Sequence, residues 1–95
     1  MPTVTITWSA GRGTVAPSSI SVTGEDEVTW SAVGSDVLIK FPDRDIFGID
    51  ELEVEEDQSE VLPVDKSAPT GSHVCNVHCE KDPGDGTPPV TMIVG

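Results

Sequence analysis

Apolar residues in this chain recur at every second position, and no window shows the three-to-four spacing of an amphipathic helix. Val4, Ile6 and Trp8 alternate with Thr3, Thr5 and Thr7, and Val28 and Trp30 alternate with Glu27 and Thr29. Val37, Ile39 and Phe41 repeat the pattern. A period of two sends side chains to opposite faces of an extended strand, so each run predicts a half-buried strand. Further runs lie at Ile20–Val22, Leu52–Val54, Val61–Val64, Val74–Val77 and Val90–Val94. Eight prolines and nine glycines are scattered through the chain and would break helices. Gly11-Arg12-Gly13, Gly24-Glu25-Asp26, Pro42-Asp43 and the long stretch Asp82–Pro89 read as turns, and only Asp43–Ile49 admits a short helix. Regularly spaced strands and turns predict an all-β antiparallel sandwich of roughly seven to eight strands. Ninety-five residues supply one core, so residues 1–95 are read as one domain. Its inward side chains are expected to be Ile6, Trp8, Ile20, Val22, Val28, Trp30, Ile39, Phe41, Leu52, Val54, Cys75 and Met92.

Charge narrows the partners. Seventeen acids against five bases give a net charge of −12. Such a surface repels phosphate backbones and anionic lipid, so neither nucleic acid nor a membrane is an expected partner. No apolar run is long enough to span a bilayer, and no basic segment followed by an apolar one opens the chain as a signal peptide would. Asp50, Glu51, Glu53, Glu55, Glu56, Asp57 and Glu60 concentrate the acidity in one stretch. The calcium-loop spacing is absent from it. It reads first as a solvated strand face that discourages edge-to-edge pairing, and second as a docking surface for a basic protein.

The densest chemistry is His73-Val74-Cys75-Asn76-Val77-His78-Cys79. Thiolate and imidazole together suit Cu(I) or Zn²⁺, so His73, Cys75, His78 and Cys79 are the candidate metal ligands. On a continuous strand His73, Cys75 and Cys79 share one face and His78 the other. A turn after Val77 would fold His78 back over the core end and leave Cys79 beyond it as the exposed thiol. The spacing matches no paired zinc knuckle, and the plainer reading makes Cys75 a small buried hydrophobe. On one strand Cys75 and Cys79 stand roughly 13 Å apart, too far for a disulfide. Two unpaired cysteines favour a reducing, cytoplasmic compartment. Thiolate activation needs nearby positive charge or a helix N-terminus, and the sequence offers neither, so no enzyme is expected.

Ile20-Ser21-Val22-Thr23-Gly24-Glu25-Asp26-Glu27-Val28-Thr29-Trp30 runs from strand through an acidic glycine turn into a strand ending in tryptophan. Ala68-Pro69-Thr70-Gly71-Ser72 then leads into Cys75-Asn76-Val77-His78, and Pro89-Val90-Thr91-Met92-Ile93-Val94 closes the chain. In this order the three elements resemble the cupredoxin family, the plastocyanin-like Greek-key sandwiches. The resemblance implies a type 1 copper site in which Cys75 and His78 match the family's cysteine and second histidine. The first histidine would come from the strand after the tryptophan strand, where Gly34-Ser35-Asp36-Val37 offers none. Pro83 stands where an axial methionine would be usual, and Met92 is expected in the core. Two of four ligands match. The expectation is therefore a non-catalytic, cofactor-free cupredoxin-like binding or structural module with an incomplete copper site; the alternative is a copper-binding or electron-transfer protein, or a zinc site, built on Cys75 and His78.

Overall fold

In the computed structural model, which describes residues 2–82 and 87–95, the chain is all strand and turn. The described residues form nine strands: β1 (Thr3–Ser9), β2 (Arg12–Ala16), β3 (Ser19–Val22), β4 (Glu27–Val33), β5 (Val37–Lys40), β6 (Glu51–Val54), β7 (Ser59–Pro63), β8 (Gly71–Cys79) and β9 (Val90–Val94). They make two sheets in the orders β2-β1-β4-β7 and β3-β9-β8-β5-β6. Two ladders, β1·β4 and β3·β9, are parallel, and the others are antiparallel. The parallel pairs arise because the chain crosses repeatedly between sheets before it returns beside an earlier strand. Among the described residues no helix is long and apolar enough to cross a membrane.

The strand count exceeds the expectation by β2. Its apolar content is thin, and the glycines at 11 and 13 suggested a turn spanning both. Only Ala10 and Gly11 turn, with φ of 52° and 72°. Two left-handed central residues match the twist of a tight hairpin, so Ser9 pairs directly with Arg12 and the strand resumes at once. The short helix anticipated at Asp43–Ile49 is instead a single turn. Ile46 N–H donates to Asp43 O at 3.2 Å and Gly48 N–H to Arg44 O at 2.7 Å. Gly48 then takes a φ of 82°, outside the helical region, and propagation stops. The turn still serves the core, because it buries Ile46 and Phe47.

Alternation fills the space between the sheets. Val4, Ile6, Val28, Trp30, Val37, Ile39, Val54, Cys75, Val90 and Met92 are all within 1% of complete burial. Of the expected inward set, Trp8 and Leu52 are only half-buried and pack against the rim of this core. Trp30 anchors an aromatic cluster, its ring centroid 5.7 Å from Phe41 and 6.1 Å from Phe47. The acidic turn before the tryptophan strand is held locally: Asp26 N–H donates to Thr23 O at 3.1 Å, while Thr23 N–H donates to Asp26 Oδ2 at 2.9 Å. The expected turn across Asp82–Pro89 includes residues 83–86, which lie outside the described residues, as does the position of Pro83.

Candidate functional site

Strand β8 decides where every candidate ligand goes. It runs unbroken from Gly71 to Cys79, pairing first with β9 (His73 opposite Met92, Cys75 opposite Val90) and then with β5 (Val77 opposite Ile39, Cys79 opposite Val37). No turn follows Val77. Alternation therefore continues to the strand end, and Cys79 is fully buried rather than the exposed thiol expected beyond a turn. The reason is the β5 partner, whose ladder holds β8 extended for two residues past Val77.

Cys75 lies in the interior, and burial pushes its thiol up to about 11. A thiolate ligand there would have to form against that desolvation. Cys75 and Cys79 are free cysteines on the same face of one strand. His73, half-buried on that face, brings Nε2 within 2.7 Å of Pro69 O. A carbonyl can only accept, so it is Nε2–H that donates in this contact. His78 projects to the opposite face of the sheet. With Leu38, Lys40, Asn76 and Thr87 it lines an outer hollow of about 430 Å³. A sheet separates His78 from the Cys75 thiol, so the two cannot reach one ion from these positions. Among the described residues no three His, Cys, Asp or Glu side chains converge in a metal-holding group.

The end of the sandwich beyond β8 gathers Ser35, Asp36, Glu56 and Asp57 around Lys81, a residue that sequence reasoning passed over. Ser35 is fully buried in the turn between β4 and β5. Its hydroxyl donates to Asp36 O at 2.9 Å and accepts from the Lys81 amide at 3.2 Å. Lys81 Nζ donates to Gly34 O at 2.8 Å and lies 2.7 Å from Glu56 Oε1. That hydrogen bond to Glu56, with the Asp36 and Asp57 carboxylates nearby, raises the Lys81 ammonium above its usual range. The one available signal was a lysine two residues past the cysteine strand in so acidic a chain.

No family model matches this sequence, and no curated protein matches it. Solved structures do. A Cu(I) amicyanin variant superposes with a TM-score of 0.59 over 97% of this chain and 81% of its own, at 16% identity. A second Cu(I)-form amicyanin variant gives 0.59 over 100% of this chain and 84% of its own, at 15% identity. Amicyanin from Paracoccus versutus gives 0.57 over 97% and 80%, at 14% identity. The fold is cupredoxin-like.

Proposed function

We propose that this chain is a non-catalytic cupredoxin-like module that works through surface contacts, as a binding or structural part of an assembly, without a type 1 copper centre. The observation that carries the reading is the division of Cys75 and His78 between the two faces of β8. A blue-copper site needs two imidazoles and a thiolate converging in one trigonal set. Here Gly34-Ser35-Asp36-Val37, where the resemblance looks for the first histidine, offers none, and the other two matching residues diverge. The donors present do not fit the group. The contact surface is the acidic margin formed by β6 and β7, which are edge strands of the two sheets. Glu53, Glu55, Gln58 and Glu60 rim a shallow hollow of about 360 Å³ there. A basic protein surface is the complementary partner, with attraction that weakens as salt screens it.

The second reading, copper-related electron transfer, draws on the Cu(I) amicyanin neighbours. Adding Cu(II) to reduced protein separates the two. The module reading expects no intense absorption near 600 nm and sub-stoichiometric metal in protein purified without additions. A strong thiolate-to-copper band with one copper per chain would replace it with the second.

A further inference from the structure

Three segments meet past the end of β8: the β4–β5 turn at Gly34-Ser35-Asp36, the β6–β7 turn at residues 55–58, and Glu80-Lys81. In a copper-holding member of the fold, by the resemblance above, the metal would tie the first of these segments to the end of the cysteine strand. In this chain we propose that Lys81 makes that tie, its ammonium and amide closing the end of the sandwich as a metal-free clasp. From one residue, Nζ reaches Gly34 O and Glu56 Oε1 while the backbone N–H reaches the buried Ser35 hydroxyl. Neighbouring bonds complete the closure. Glu56 N–H donates to Asp36 Oδ1 at 2.7 Å, Gly34 N–H to Asp57 Oδ1 at 3.4 Å, and Glu80 N–H to Asp36 O at 2.8 Å. An ammonium supplies three donors and one positive charge, enough to link a carbonyl and a carboxylate and to draw in the adjacent Asp36 and Asp57. Ser35, in the segment where the resemblance looks for a histidine, and Lys81, two residues past β8, meet in this one contact. The serine hydroxyl is the acceptor that the Lys81 amide requires.

The clasp predicts an end whose order is indifferent to chelators and dependent on one side chain. The test is native-state amide exchange by NMR on the full chain, comparing wild type, Lys81→Met and Lys81→Arg. Lys81→Met keeps the apolar stem and removes the charge. Its Gly34, Glu56 and Lys81 amides should exchange roughly three- to tenfold faster than in wild type, with core amides such as Ile6 and Ile39 unchanged. Lys81→Arg should recover part of the lost protection. Chelator dialysis of wild type should leave all these rates as they were. Unchanged exchange in Lys81→Met, or loop exchange in wild type that quickens on chelation, would overturn the clasp. These rates are read without copper chemistry, so a blue band would count against the proposed function alone.

Discussion

Replacing Gly34 with alanine tests the end of the sandwich most directly, because two costs fall on the same atom. Gly34 has a φ of 80°, and a Cβ there would be driven into the backbone carbonyl oxygen of Trp8. Holding an L-residue in the left-handed region costs roughly 1–2 kcal/mol. Overlap with a backbone atom, which cannot swing aside as a side-chain tip can, adds about 1–3 kcal/mol. Gly48 provides the matched control. Its φ is 82°, yet nothing lies within 4 Å of its virtual Cβ. Alanine at Gly48 should cost only the conformational part. The entropy that any glycine-to-alanine change removes from the unfolded chain is common to both variants and cancels. Gly34→Ala is thus expected to lose about 2–5 kcal/mol and Gly48→Ala about 1–2 kcal/mol. For a domain this size, with total stability on the order of 5–14 kcal/mol, the first loss is a large share. At about 4–8 °C per kcal/mol it lowers the Tm by at least roughly 8 °C. Urea titrations followed by far-UV circular dichroism, with melts of the same samples, supply both quantities. Equal losses in the two variants would refute the argument, since β1 would then be free to move away from residue 34.

Three further outcomes follow from the buried thiols and one exposed turn. Cys75→Ser and Cys79→Ser should each destabilise by roughly 1–3 kcal/mol, since each puts a hydroxyl in the apolar interior; a Cys79 thiol that reacts with a disulfide reagent at the free-thiol rate in native protein would contradict its burial. The Cys75 thiol is raised from 9.0 to about 11, so its contribution is full below pH 9 and declines as the pH rises from 9 toward 11. Wild type should accordingly lose more stability over that interval than Cys75→Ala, and parallel curves would show that the thiol titrates alike in both states. Asp65 is held below its ordinary value by the Ser67 N–H and hydroxyl, both at its Oδ1, so it contributes above the unfolded value of 3.8 and loses that contribution as pH falls through its lower folded one. NMR titration should show Ser67→Ala moving the Asp65 midpoint up, and an unmoved midpoint would dismiss the hydroxyl as a cause.

Period-two alternation announced most of this architecture, because one face of each strand had to meet the core. The signal failed where other forces dominate. In β2 the hairpin geometry of Ala10-Gly11, not hydrophobicity, starts the strand. At Leu52 and Trp8 the alternation is sound, yet both residues pack against the edge of the core and are only partly buried. The candidate ligands were legible as residue types and misjudged as an arrangement. Assigning Cys79 to the surface required a turn after Val77, and only pairing with β5, some forty residues earlier in sequence, rules that turn out. The Ser35–Lys81 contact links two loops with no local pattern to mark them.

The ladder between β3 and β9 also governs how the molecule comes together. Ser19 pairs with Thr91, 72 positions later, whereas the β1–β2 hairpin closes within a few residues. Contacts so distant in sequence carry their loop-closure cost before any return, which slows their formation. On a chain emerging from the ribosome, β1, β2 and β4 can pair once residue 33 is out. Ser19–Val22 must wait for Val90–Val94, its sole ladder partner among the described residues, and until then its backbone edge and the apolar faces of Ile20 and Val22 stay uncovered. An open edge of this kind invites pairing with other chains. Here the segment is only four residues long, carries serine at its outward positions and runs straight into Glu25 and Asp26. Shortness, polarity and adjacent negative charge are what keep a waiting strand from finding the wrong neighbour.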